Sequence, residues 1–180
     1  MFRMVSASVT LSLGVIKLTL TQDEFASLRK RFNRSPLYRG PCMILSRDTG
    51  LALDAGPRTK VGHHNVLWKP HAGPWQQWRL HGIGGGEVEI LSESSGLRLT
   101  AMAKRQDWGE VWLDRKLAND WSTRWRLKST DDGVAFLIQN AASGYALDAG
   151  QKPEDPPRPH MWRPNWSAWQ QWIVVRLPLT

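Results

Sequence analysis

Gly50-Leu51-Ala52-Leu53-Asp54-Ala55-Gly56 returns 94 residues later as Gly144-Tyr145-Ala146-Leu147-Asp148-Ala149-Gly150. The match spreads outward from there. Residues 46–80 and 140–174 align without a gap, and 12 of the 35 positions are identical, a level that chance does not produce. Both copies close on the same four residues, Trp75-Gln76-Gln77-Trp78 and Trp169-Gln170-Gln171-Trp172. Trp125 lies midway, 47 residues from each closing tryptophan, and Trp125-Arg126-Leu127 echoes Trp78-Arg79-Leu80. The stretch from Ser95 to Ala101 supplies the start of this middle, more diverged copy. A fixed period of this length marks like units that bury their apolar faces against one another.

Within each copy the pattern is that of short strands between turn residues. Met43–Leu45, Val88–Ile90 and Phe136–Ile138 each precede a Ser/Thr-Gly turn, and Leu51–Leu53, Leu97–Leu99 and Tyr145–Leu147 follow it. A polar loop then leads to a strand around Trp68, Trp112 or Trp162, and the last strand begins at the closing tryptophan. Four short strands in each of three units, without helical periodicity, predict an all-β, closed assembly.

These residues resemble the ricin B-type β-trefoil lectin family, whose hallmark is a threefold repeat ending in Gln-x-Trp, preceded by a Gly-x-x-Leu-Asp element. The resemblance spans about residues 38–178. It implies a β-trefoil of three ~47-residue repeats, about 38–83, 84–131 and 132–180, within a domain of residues 38–180. It further implies shallow sugar sites, in which an Asp accepts hydrogen bonds from two hydroxyls and an aromatic ring stacks on the sugar's apolar face. Such a carboxylate gains strength from its charge, and a flat ring covers C–H surface without competing for hydroxyls. Carried onto this chain, repeat one offers Asp54, Trp68 and Gln76, and repeat three offers Asp148, Trp162 and Gln170. Repeat two holds Thr100 and Thr123 at the Asp and Gln positions and is expected to be structural. Many family members place an Asn before the Gln. Here Trp75 and Trp169 occupy that slot, so His71 and Asn165 are the candidates to reach into the pocket instead.

The resemblance implies a non-catalytic lectin whose partner is a glycan or glycoconjugate, with no cofactor. Other chemistries find little support. His63, His64, His71 and His160 match no zinc spacing, and Cys42 is the only cysteine, so no metal site is expected. Ser, His and Asp occur without a nucleophile-elbow motif, the acids form no marked catalytic pair, and Gly84-Gly85-Gly86 lacks the Lys-Ser/Thr of a phosphate loop. The Pro-rich run Pro153–Pro159 reads as a stiff surface loop.

Residues 1–37 differ from the rest. Val5, Ala7, Val9, Leu11 and Leu13 alternate on one face, the phase changes at Gly14, and Ile16, Leu18 and Leu20 alternate in turn, which predicts a β-hairpin. Thr21 and Glu24 then form a capping box for a short helix carrying Phe25, Leu28 and Phe32, with Arg29, Lys30, Arg31 and Arg34 on its other side. This extension is too small to be stable alone. It packs on the trefoil, on its own copy in a homodimer, or on another protein. Residues 1–40 carry seven basic against two acidic residues, +5 of the chain's +8. Nucleic acid is not expected, because no motif accompanies that charge. Two rival functions follow from the extension: a protein-interaction or targeting module, or a binder of anionic glycans or lipids. With no disulfide pair and no clear signal peptide or membrane span, the expectation is a soluble protein, cytoplasmic or exported without a standard signal.

Overall fold

A computed structural model describes residues 8–13, 16–21, 40–57, 60–115, 120–150 and 157–178. The expected hairpin forms from Ser8–Leu13 and Ile16–Thr21, antiparallel, with Val9 opposite Leu20, Leu11 opposite Leu18 and Leu13 opposite Ile16. The apolar positions of the two alternating runs therefore share one row of pairs. The expected helix lies outside the described residues, as does most of the Pro-rich run.

The remaining strands build the trefoil. Cys42–Ser46, Trp78–Gly84, Glu87–Ser92, Arg124–Ser129, Phe136–Asn140 and Gln171–Arg176 pair in a ring, each antiparallel to its neighbour. The ring closes where Trp172 pairs with Ser46 and Arg176 with Cys42. Three hairpins cap one end: Ala52–Asp54 with Val66–Trp68, Arg98–Ala101 with Val111–Asp114, and Ala146–Asp148 with His160–Trp162. Closure leaves the barrel without free edges.

The core is layered by threes. Trp78, Trp125 and Trp172 are fully buried, and each indole N–H donates to the carbonyl of the Leu that precedes the Asp or Thr position: Leu53, Leu99 and Leu147, at 2.9 Å every time. Ile44, Ile90 and Ile138 form a second layer, and Leu67, Leu113 and Met161 a third. The turns repeat as faithfully. Gly50, Gly96 and Gly144 all adopt a left-handed φ of 69–74°, where a side chain would be strained.

Pairing also corrects the alignment of repeat two. Trp112 lies opposite Thr100, the place that Val66 and His160 take against Asp54 and Asp148. Asp114, not Trp112, therefore stands where Trp68 and Trp162 stand. From Trp112 the interval to Trp125 is 13 residues against 10 in the other repeats, but counted from Asp114 it is 11.

Between the capping hairpins the repeats hold one another in a cycle. Gly62 N–H donates to Leu113 O, Met161 N–H to Gly109 O and Leu67 N–H to Pro157 O, at 2.7–2.8 Å. Repeat one thus grips repeat two, repeat two grips repeat three, and repeat three grips repeat one.

Two outcomes follow. Trp125→Ala should cost about 3–5 kcal/mol in urea unfolding, as much as Trp78→Ala or Trp172→Ala, although repeat two has lost the Asp and Gln of the others. Cys42 occupies the layer position of Val88 and Phe136, its thiol donating to Trp78 O at 3.2 Å, and burial pushes its pKa up to about 12. A maleimide probe at pH 8 should leave it unmodified in the folded protein and label it on unfolding.

Candidate functional site

In repeat one, Asp54 ends the first capping strand and is 3% exposed. One carboxylate oxygen accepts from Gly56 N–H at 2.7 Å and so closes the turn, while the other accepts from Gln76 Nε2 at 3.0 Å. Gln76 is held in turn. The same nitrogen donates to Lys69 O, and its Oε1 accepts from His71 N–H at 2.8 Å. A single 3₁₀ turn, Pro74–Gln76, delivers Gln76 inward beneath the loop that it pins. His71 folds over the site, its Nε2 3.6 Å from Asp54 and its Nδ1 accepting from Gly73 N–H at 3.0 Å. A Cβ at Gly73 would lie 2.7 Å from that ring, so glycine there makes room for His71. The hollow above is about 420 Å³, and Trp68, Trp75, Val66 and Pro57 give it largely apolar walls. Trp68 is 48% exposed.

Repeat three has the same frame with different furniture. Asp148 accepts from Gly150 N–H at 2.9 Å and from Gln170 Nε2 at 3.1 Å. Gln170 also donates to Arg163 O and accepts from Asn165 N–H at 2.8 Å. His160 Nε2 lies 4.0 Å from Asp148 Oδ1, the turn-closing oxygen, whereas His71 lies beside Asp54 Oδ2. The hollow is smaller, about 240 Å³, and Asp148, His160, Trp162, Asn165 and Trp169 line it.

Its remaining wall is Trp108, a residue that the repeat pattern does not reveal. Trp108 belongs to the loop of repeat two and crosses into repeat three. Its ring stacks on His160 at 4.2 Å between centroids and meets Trp162 edge-on at 4.8 Å. The backbone there is left-handed, φ 63°, an uncommon state for a bulky residue. Both neighbours tie the loop to repeat three. Asp107 accepts from Arg163 Nε and main-chain N–H at 3.0 and 3.1 Å, and Gly109 O accepts from Met161 N–H. The Arg163 hydrogen bond holds the Asp107 carboxyl below the usual carboxylate range. A Cβ on Gly109 would press on both Gln106 O and Met161 at 3.1 Å.

In repeat two the frame is dismantled. The Thr100 hydroxyl donates to Arg98 O and the Thr123 hydroxyl to Asp120 O, so both turn back to local main chain. Loss of the two together is expected, since either alone would leave the other's buried polar group unpaired. Trp121 lies exposed nearby with the Arg124 guanidinium 4.4 Å over its ring. Among the described residues no cluster of His, Cys, Asp and Glu is arranged to hold a metal ion, and no helix is long and apolar enough to cross a membrane.

Comparison with known proteins agrees with this architecture. The family model described as a ricin-type β-trefoil lectin domain-like unit matches residues 74–157. The designed threefold-symmetric protein ThreeFoil superposes with a TM-score of 0.71 at 26% identity, over 77% of this chain and 99% of its own. A ricin B-like lectin of Macrolepiota procera, solved in complex with lactose, gives 0.65 at 20% identity over 79% of this chain and all of its own. An exo-β-1,3-galactanase of Clostridium thermocellum gives 0.67 at 20% identity over 78% of this chain, but only 31% of that enzyme is covered. No curated protein matches the chain by sequence. Fold and repeat together define the class: this chain is a β-trefoil, similar over residues 74–157 to the ricin-type lectin-like family.

Gln170→Ala should cost about 1–3 kcal/mol in thermal or urea unfolding, because it strands a buried Asp148 oxygen and the Asn165 N–H. Thr123→Ala, which removes one bond to local main chain, should cost visibly less.

Proposed function

We propose that the chain is a non-catalytic carbohydrate-binding protein with one shallow site in repeat one and another in repeat three. The observation that carries this reading is the twice-built Asp–Gln frame beside an accessible tryptophan. Each carboxylate spends only two of its roughly four acceptor positions on the turn and the Gln, and those remaining can accept sugar hydroxyls. Trp68 and Trp162 offer the apolar face, and His71 and Asn165 supply further polar groups at the rim. The Asp residues also close turns, so their role is double. In repeat two the carboxylate and the left-handed glycine after it are both gone, and the Thr100 hydroxyl turns to Arg98 O.

A single open site of this kind binds weakly, on the order of 10⁻³ to 10⁻⁵ M, and two on one chain gain strength on a multivalent surface. Nothing in either hollow resembles a nucleophile with its base, or a carboxylate pair set to cleave a glycosidic bond.

Calorimetric titration of a glycan identified on an array should give two sites for the wild type. Trp68→Ala should remove the first, Trp162→Ala the second, and the double variant should lose binding at least tenfold. Asp54→Ala and Asp148→Ala should do the same with some loss of stability, since each also removes a turn-closing acceptor. Full-strength binding by the folded double Trp and double Asp variants would show that the sites lie elsewhere.

A further inference from the structure

Beside the repeat-three hollow lies a second one of about 180 Å³, for which Trp108 and His160 form a shared wall. Its other sides come from all three repeats: His64 from the first, Glu110 and Val111 from the second, Arg158 from the third. We infer that the two hollows form one extended site, in which the Trp108–His160 stack stands between the sugar ring held at Asp148 and the next ring of the same oligosaccharide. This rests on the sugar-binding reading of repeat three and adds that its ligand is a chain of at least two linked sugars.

Three observations support the link. Trp108 is 42% exposed, and it is held in a left-handed backbone by fixed contacts on either side of it. Strain of that kind concentrates at ligand clamps, and a platform fixed in advance loses little entropy on binding. The ring is stacked on His160 and set edge-on to Trp162, so one aromatic unit borders both hollows. The second hollow then offers what a further sugar ring needs: an acceptor in Glu110, a forked donor in Arg158, and the apolar side of Val111 and Trp108. Glu110 and Arg158 are both exposed, and neither touches the Asp148–Gln170 frame. In repeat one Val66 takes the place of His160 in the strand pairing, and Gly62 the place of Trp108.

The test uses the Asp54→Ala protein, so that repeat three alone reports. Calorimetry is run with methyl glycosides of galactose, N-acetylgalactosamine, glucose and mannose, and with the di- and trisaccharides built on each. For the sugar whose monosaccharide binds in an Asp148-dependent way, the trisaccharide should bind at least tenfold more tightly. Glu110→Gln with Arg158→Ala should cut that gain to about twofold or less while leaving the monosaccharide constant unchanged, and Trp108→Ala should weaken both. An equal constant for one, two and three rings, or a gain that survives the Glu110/Arg158 change, overturns the extended site and leaves the single-ring site standing. If no member of the panel binds in an Asp148-dependent way, the repeat-three reading itself fails and the extension fails with it.

Discussion

Three identical hydrogen bonds, from the indole N–H of Trp78, Trp125 and Trp172 to Leu53, Leu99 and Leu147, hold the rest of the molecule in place. Each joins the last strand of a repeat to its first capping strand, across 25 or 26 residues of chain, inside a layer that excludes water. A buried indole N–H calls for an acceptor, and here each takes the carbonyl immediately before the Asp or Thr position. The bond therefore sets where the capping strand ends, and the site begins at that point. Packing and site geometry share one constraint.

That coupling explains why the middle repeat keeps its tryptophan while its site residues change. Removing Trp125 would open the common core, whereas exchanging Asp and Gln for a pair of Thr residues costs little once both go. Thr100 and Thr123 find partners in their own local main chain. The two intact frames have also diverged. Repeat one covers its carboxylate with His71 beneath an apolar hollow, while repeat three presents His160 and borrows Trp108. One scaffold thus carries two differently shaped hollows.

Much of this was legible in the sequence because it is periodic. The closing tryptophans, the left-handed glycines of the turns and the alternating strands recur at fixed spacing, and the structure places strands at all the positions they mark. Asp54 with Gln76, and Asp148 with Gln170, were legible for the same reason and do meet, at 3.0 and 3.1 Å. Trp112 was aligned with Trp68 and Trp162 because it is a tryptophan, whereas strand pairing gives that place to Asp114. Trp108 was not legible at all. It serves a repeat other than its own, from a position that Gly62 holds in repeat one, so no recurring residue type marks it, and its position follows from the cyclic contacts between hairpins. His160 stood out in the sequence only as a metal candidate, since its partner Asp148 is reached through strand pairing.

The cycle of main-chain bonds from Gly62 to Leu113, from Met161 to Gly109 and from Leu67 to Pro157 constrains how such a protein can change over generations. A repeat that has lost the Asp–Gln frame is still not free to drift. Here the loop of the repeat without the Asp–Gln frame walls the hollow of its neighbour, so a change in that loop reshapes another unit's surface. The three repeats are interdependent, each bonded to the next through its capping hairpin.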